Sequence, residues 1–140
     1  MAPSHLNMGR YLTCDPLHLV VDHEGRDVTE KFNVWSEHLI ENQKNGFKVL
    51  EPIAREIIPP LMEKSLSLAQ TLSLDIIGKT KIKIEKILGE EVERLLELQK
   101  INPDIREMEI TAVRNQRALL LEYLQSARPR LDALRLIRVQ

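Results

Sequence analysis

Apolar residues recur at spacings near three, four and seven along residues 61–101, the periodicity of one face of a helix. They include Leu68, Leu72, Ile76, Ile84, Leu88, Val92 and Leu95. Pro59-Pro60 suits a helix start, because proline disfavours helical geometry at the preceding residue but fits the first position of a new helix. The pattern predicts one helix from about Pro60 to Ile101, about 60 Å long at ~1.5 Å per residue. Lys81 to Ile84 alternates like a strand, but its long flanks without proline favour helix.

A second helix is predicted after a corner at Asn102-Pro103-Asp104. Glu107 stands three residues after Asp104, the spacing of a capping box. One face of this helix is lined by Ile105, Met108, Ala112, Gln116, Leu119 and Tyr123. The first helix has more apolar surface than a small core can cover, so it requires a partner helix. Residues 60–127 are therefore predicted to form a long antiparallel helical hairpin.

Pro16 to Asp22 alternates with the period of two that is typical of a strand. A second strand is predicted at Ala133 to Val139, where Arg135 and Arg138 lie between Leu134, Leu136 and Val139. Gly25 favours a tight turn after the first. Isolated strands are marginally stable, so the simplest arrangement pairs the two segments in a small sheet, although strands outside this sequence are an alternative. The expected fold class is α+β and mostly helical, with strand and turn in 1–30, short helices in 31–58, the hairpin in 60–127 and a strand in 131–140.

Composition narrows the class of protein without identifying it. The chain is 43% hydrophobic and 29% charged, with 20 Lys and Arg against 21 Asp and Glu, which excludes a disordered tail or a polybasic arm. The single Cys14 forms no internal disulfide, as suits a reducing cytoplasm. The longest apolar run, Ala118 to Leu121, is far below the ~20 residues of a membrane span. The first residues also lack the pattern of a secretory signal. A cytoplasmic protein without a membrane partner is expected.

Gly78-Lys79-Thr80 resembles the end of a phosphate-binding loop. That loop needs another glycine five residues before Gly78, where Ser73 stands, and a preceding strand. The tripeptide lies within the helical pattern, which favours a solvent-facing polar pair beside a tolerated glycine. Such a glycine costs a helix about 1 kcal/mol relative to alanine.

Three other groups of residues invite a chemical interpretation. His18 and His23 with Asp22 and Glu24 could bind a metal, but a solvated turn is favoured, because no His or Cys pair has zinc-site spacing. Cys14 and His18 could form a nucleophile and base, but nothing supplies a third orienting group. A run of acidic residues in the long predicted helix could supply paired carboxylates for acid–base chemistry. It is more typical of a solvated helix face, in which Glu90 and Arg94 form an ion pair. It comprises Glu90, Glu91, Glu93 and Glu97.

A basic group near the carboxyl end could meet nucleic-acid phosphates: Arg114, Arg117, Arg128, Arg130, Arg135 and Arg138. Stacking aromatics are nearly absent there and acidic residues are interleaved, so nucleic-acid contact is disfavoured. No catalytic, cofactor-binding or metal-binding residue is assigned in this chain.

Three stretches, Leu98 to Arg106, Asn115 to Arg117 and Arg130 to Ile137, resemble the extreme C-terminus of the RapA family of bacterial RNA polymerase-associated Swi/Snf-type ATPases. Ala2 to Leu6, Arg10 to Leu12 and Pro16 to Asp22 resemble the stretch that leads into the family's last domain. The resemblance covers the whole chain and is most specific over 98–140. It departs at Arg128-Pro129, where the family pattern has an aromatic, and at Arg138.

The resemblance implies that this chain is a C-terminal fragment of a longer helicase-like ATPase. That family binds RNA polymerase and DNA, and it uses ATP and magnesium to recycle stalled polymerase as a transcription activator. Its ATPase motifs lie upstream of this region, so the fragment itself is not expected to be an enzyme or to hold a cofactor. The implied localisation is cytoplasmic and nucleoid-associated.

The resulting hypothesis is a rigid structural and interaction region that contacts the ATPase lobes of its own chain and positions them against polymerase. An apolar seam is expected to carry the packing: Leu68, Leu72, Ile76, Leu88, Val92 and Leu95. The alternative is a free-standing coiled-coil scaffold or dimerisation module. A homodimer of the isolated fragment is compatible with either hypothesis.

Overall fold

The computed structural model describes residues 6–39 and 46–139. Within them it has helices α1 (Thr29–Trp35), α2 (Gly46–Ile101) and α3 (Glu107–Gln125), and short 3₁₀ turns at Met8–Arg10 and Ser36–His38. The chain divides into two compact units. Residues 1–15 and 73–140 form the hairpin unit, and residues 16–72 form the turn unit.

Helix α2 begins at Gly46 rather than near Pro60, and it contains Pro52, Pro59 and Pro60. Each interior proline lacks the N–H that would bond to the carbonyl four residues earlier, a loss of about 3 kcal/mol. The helix continues because the φ angle of proline, about −65°, is itself helical. The prediction of a break at Pro59-Pro60 is therefore wrong. Of the short helices predicted in 31–58, residues 40–45 lie outside the described residues and residues 46–58 belong to α2.

Within the hairpin unit, residues 73–101 of α2 and helix α3 pack against each other as a helical hairpin. Ile84 and Leu88 of α2 and Leu120 and Leu124 of α3 belong to one buried cluster. The order of contacts shows that the helices are antiparallel, because Glu85 meets Arg117 at 4.0 Å and the side chain of Gln99 donates to the carbonyl of Ile105.

The corner between these helices differs from its predicted capping box. Helix α3 begins at Glu107 with Arg106 as its N-cap residue, and no side-chain hydrogen bond caps it. The Oδ1 of Asn102 instead accepts from the backbone N–H of Asp104, at 3.0 Å. Asn102 therefore stabilises the corner itself and not the first turn of the helix.

The chain before residue 15 completes the core of the hairpin unit. Leu6 and Tyr11 are 1% and 5% exposed and belong to the same buried cluster as Ile84 and Leu120. The Nζ of Lys83 donates to the carbonyl of Arg10 at 3.1 Å, which fixes this segment to α2. The prediction of strand and turn in 1–30 did not anticipate this packing.

The predicted sheet between the first and last strands is wrong. Among the described residues there is no strand, and the isolated bridge there joins Val21 to Asp27. Residues 127–139 have no regular secondary structure. A strand needs the backbone groups of a neighbour, and Val21 finds them within its own turn. The observed fold class is helical and not α+β.

Candidate interaction surface

The Gly78-Lys79-Thr80 tripeptide lies inside α2. Lys79 makes an ion pair with Asp75 at 2.7 Å, and Thr80 is buried at 6% exposure. Backbone N–H groups within a helix are already bonded to carbonyls one turn earlier, so they cannot wrap a phosphate. The tripeptide is thus part of the helix and not a nucleotide loop.

The residues considered for metal binding stabilise a turn. The carboxylate of Asp22 accepts from the backbone N–H groups of Arg26 (2.9 Å) and Glu24 (3.0 Å) and from the Arg26 guanidinium (2.8 Å). These bonds, the backbone N–H of Arg26 foremost, lower the pKa of Asp22. Gly25 has a φ of 80°, which the predicted tight turn requires. The Asp22 carboxylate is therefore committed to the turn.

The two histidines near this turn make contacts with different residues. The His23 ring approaches Glu24 at 3.8 Å, whereas the His18 ring contacts Phe32 with centroids 5.7 Å apart. Cys14 is exposed. Over residues 6–39 and 46–139, no group of three or more His, Cys, Asp or Glu side chains is placed to hold a metal ion.

The acidic residues of α2 form ion pairs along its surface. Arg94 binds both carboxylate oxygens of Glu91, at 2.6 and 2.9 Å, and Lys100 binds Glu97 at 2.7 Å. The predicted partner of Arg94 was Glu90, but the i,i+3 position of Glu91 allows a two-pronged contact. The hydrogen bond from Arg94 lowers the pKa of Glu91.

The arginines near the carboxyl end fall into two sets. Arg114 and Arg117 lie within 4 Å of Glu107 and Glu85. Arg128 donates to the carbonyls of residues 125 and 127, at 2.8 and 2.7 Å, and so satisfies groups that a helix end leaves unpaired. The remaining three are exposed and make no ion pair with any residue in the described ranges: Arg130, Arg135 and Arg138.

The residues of the predicted apolar seam differ in burial along α2. Leu88 and Leu95 are 5% and 8% exposed, as expected for positions covered by α3. Leu72 and Ile76, in contrast, are 41% and 37% exposed. The seam therefore carries packing only in its second part.

The corner of the hairpin presents apolar side chains to solvent. Ile101 is 84% exposed and Met108 is 74% exposed, on either side of the turn at 102–106. Leu98, one turn earlier in α2, is 37% exposed. We call these three residues the hairpin tip. The sequence predicts Met108 on one face of α3 with Ala112 and Gln116, whereas in the structure its side chain is exposed at the corner.

Residues 129–139, which we call the C-terminal arm, follow α3 without regular secondary structure. Five apolar side chains are exposed in the arm: Leu131, Leu134, Leu136, Ile137 and Val139. Contiguous exposed apolar surface of this kind is typical of an interaction site. The hairpin tip, at the start of α3, and the C-terminal arm, beyond its end, are two separate candidate interaction surfaces of the hairpin unit. The strand predicted at Ala133 to Val139 falls within the arm and is absent there, and no pattern in the sequence signalled the tip.

No helix in the part of the chain that the structure describes is long and apolar enough to cross a membrane.

Comparison with known proteins gives consistent results over nearly the whole chain. A family model described as "RNA polymerase recycling family C-terminal" matches residues 1–139. An RNA polymerase-associated protein RapA from Pectobacterium atrosepticum is 31% identical over 140 residues, which is 99% of this chain and 14% of that protein. The RapA of Proteus mirabilis is 31% identical over 141 residues, with the same coverage. The RapA of Haemophilus influenzae is 31% identical over 138 residues, 97% of this chain and 15% of that protein.

Proposed function

This chain belongs to the RNA polymerase recycling family, as its C-terminal region, and on that premise we propose that it is the structural and docking region of a longer RNA polymerase-associated protein. It spans only about 14% of the length of the relatives it matches. The longer protein would hydrolyse ATP, with magnesium, to recycle RNA polymerase on DNA. This chain contributes contacts that hold the ATPase part against polymerase.

One observation carries this proposal: the hairpin has a well-packed core, yet its tip and its C-terminal arm expose apolar side chains. Burying one such side chain contributes about 1.5–3 kcal/mol, so a chain that left all of them in water would lose considerable stabilisation. A surface of this kind is suited to contact with the rest of a longer protein or with polymerase. The ion-paired carboxylates of Asp22, Glu91 and Glu97 likewise favour a structural role over catalysis.

The first experiment is to read the genomic frame upstream of the codon for Met1. We expect an open frame that encodes ATPase motifs and continues into this chain. A stop codon directly upstream, with no such motifs in frame, would contradict the proposal of a longer protein.

The second experiment compares that longer protein with a form that lacks these 140 residues. We expect weaker RNA polymerase binding and a loss of polymerase-stimulated ATP hydrolysis in the shortened form. A sharper version changes the tip alone, with Ile101→Ser and Met108→Ser together. The matched control is Ile82→Ser, which removes an apolar side chain that is 67% exposed on α2 and outside the tip. Unchanged binding and hydrolysis after the deletion would overturn the proposal.

The second candidate function is a free-standing dimerisation scaffold, and the exposure of Leu72 and Ile76 favours it. In a coiled coil these seam positions would be covered by a second helix. Sedimentation equilibrium of the isolated chain tests this candidate. A dimer that becomes a monomer with Leu72→Glu supports the scaffold, whereas a monomer at all concentrations excludes it.

A further inference from the structure

The C-terminal arm is a basic segment of a nearly neutral chain. Three arginines against one aspartate give residues 129–139 a net charge of +2, whereas the whole chain has a net charge of −1. The three arginines are Arg130, Arg135 and Arg138. All are exposed, and none makes an ion pair with any residue that the structure describes. Arg55, Arg94 and Arg117 in the helices, in contrast, each lie within 4.0 Å of a glutamate. The guanidinium groups of the arm are therefore available to carboxylates of another molecule.

Apolar side chains lie between those arginines. Leu131, Leu134 and Leu136 are 61%, 56% and 44% exposed. A guanidinium group binds a carboxylate through two parallel hydrogen bonds, as Arg94 does with Glu91. A surface that carries carboxylates beside apolar side chains would complement both features of the arm.

We propose that the C-terminal arm binds an acidic surface of RNA polymerase, where its arginines pair with carboxylates and its leucines contact apolar side chains. This inference rests on the proposed function, in which the chain holds an ATPase part against polymerase. It adds the chemistry of the partner surface and the residues that recognise it.

The composition of the arm favours a protein surface over phosphates. Proteins that bind single-stranded nucleic acid stack bases on aromatic side chains, and residues 129–139 contain no Phe, Tyr or Trp. Contacts to the phosphates of a duplex would use the arginines and leave the leucines in water. Segments that lie on a membrane surface are typically amphipathic helices, whereas the arm has no helix. A protein surface alone can use both kinds of side chain.

The spacing of the arginines determines the shape of the expected surface. Arg130 and Arg138 are eight residues apart, which is at most about 26–29 Å of extended chain. Arg135 lies at most about 18 Å from Arg130 along the same chain. The expected partner surface is therefore a shallow strip with several Asp or Glu residues, and not one deep pocket.

Fluorescence anisotropy of the 140-residue chain, titrated with purified RNA polymerase, tests the arginines. Cys14 is the one cysteine of the chain and is exposed, so it can carry the dye. Changing Arg130, Arg135 and Arg138 together to Gln should weaken binding by at least about tenfold, since an exposed ion pair contributes up to about fivefold. Raising the NaCl concentration from about 50 to about 300 mM should weaken the unchanged chain more than this variant. Equal dissociation constants for the two proteins would overturn the inference.

The matched control removes the same number of positive charges from α2. Lys79, Lys81 and Lys86 are exposed positions of the same unit, and changing all three to Gln lowers the net charge equally. This control should change the dissociation constant by less than about twofold. An equal loss in the two triple variants would show a response to total charge and would overturn the role of the arm.

The leucines provide an independent test. Changing Leu131, Leu134 and Leu136 together to Ser should weaken polymerase binding while its salt dependence stays that of the unchanged chain, because the arginines remain. Ile82→Ser, at an apolar position of α2 that is 67% exposed, is the control and should bind normally. Normal binding by the leucine variant would contradict a surface with apolar contacts.

Two other classes of partner are tested with the same labelled chain. The probes are a DNA duplex and vesicles of anionic phospholipid, at about 150 mM NaCl. Binding of either probe that depends on the three arginines, together with polymerase binding that does not, would overturn the acidic protein surface in favour of phosphates.

Failure of this inference can be distinguished from failure of the proposed function. If deletion of the 140 residues from the longer protein abolishes polymerase binding, but the triple arginine variant of that protein binds normally, the role of the arm is wrong and the docking function stands. If the deletion leaves polymerase binding unchanged, both are wrong.

Discussion

The two stretches of α2 are stabilised in different ways. Over residues 73–101, α2 buries Ile84, Leu88 and Leu95. Over residues 46–72 it carries all three of its prolines, and Ala54 is its one buried residue among the described side chains. The second stretch therefore has the larger share of buried apolar side chains, whereas the first carries the prolines that remove backbone hydrogen bonds. Helix continuity therefore does not imply uniform stability.

The largest expected difference comes from the packed stretch. Leu120→Ala removes a side chain with 0% exposure that meets α2, and it should lower the free energy of unfolding by about 2–5 kcal/mol. Thermal unfolding followed by circular dichroism measures it, at roughly 3 °C per kcal/mol for a chain of this size. The matched control is Leu74→Ala, 70% exposed, with an expected change within about 0.5 kcal/mol. Equal shifts in the two variants would show that α3 is not packed on α2.

The prolines allow the other stretch to be strengthened. Pro59→Ala restores an N–H that can bond to the carbonyl of Arg55, which stabilises the local helix by up to about 3 kcal/mol. Hydrogen exchange should slow locally by up to about a hundredfold, while amides around Leu120 keep their rates. Pro129→Ala, beyond α3, is the control and should leave α2 unchanged. If the amides near Leu120 slow as much as those near residue 59, residues 46–72 and 73–101 of α2 unfold together, and the proposed difference in their stability is wrong.

Alanine substitutions at two glycines should change stability by smaller amounts and in opposite directions. Gly25→Ala forces a side chain into a positive-φ turn and should destabilise the turn unit by about 1–2 kcal/mol. A Cβ there meets only the Lys64 side chain, at 3.4 Å, so the cost is conformational and not steric. Gly78→Ala, where a Cβ meets nothing within 4 Å, should stabilise α2 by about 0.5–1 kcal/mol. Urea midpoints that move in the same direction for both variants would contradict these assignments.

Lowering the pH should destabilise the two units by weakening different hydrogen bonds. We expect this to be the smallest of the four changes in stability predicted here. Asp22 and Glu91 both have lowered pKa values, below the usual 3.8 and 4.5. A depressed pKa stabilises the folded state above the usual value, and the contribution is lost as pH falls through the folded value. Stability curves should therefore decline below about pH 4.5 for Glu91 and below about pH 3.8 for Asp22.

Salt distinguishes the two carboxylates. The pKa of Glu91 is lowered chiefly by the Arg94 guanidinium, and that of Asp22 chiefly by the backbone N–H of Arg26. Carboxyl titration by NMR at high salt should shrink the shift of Glu91 more, because exposed charge pairs are screened. Asp22→Asn and Glu91→Gln should each flatten the corresponding part of the pH profile. An Asp22 shift that vanishes in salt would contradict the backbone assignment.

Helical periodicity and the proline corner act locally, and the structure has two helices on either side of that corner. The face of the second helix was predicted wrongly, because its buried residues are Ile110, Leu120 and Leu124. Prediction failed where the structure of a segment depends on contacts with residues distant in the sequence. Branched and apolar residues in 133–139 favour an extended chain, but they do not determine whether another backbone lies alongside, so the sheet was wrong. Pro59-Pro60 favours a helix start locally, but the helix on both sides continues through it. The packing of Leu6 and Tyr11 on the hairpin came from a segment with no regular period.

The direct attachment of the C-terminal arm to the end of α3 has a further consequence for mass action. Residues 129–139 reach at most about 36–40 Å from that anchor, at ~3.3–3.6 Å per residue. A short tether of this kind keeps its end at an effective concentration on the order of millimolar near any site within reach. A contact of the arm that would be too weak to detect between separate molecules can therefore be largely formed when the arm and its site share one polypeptide. The arm can release and rebind without the hairpin leaving its place.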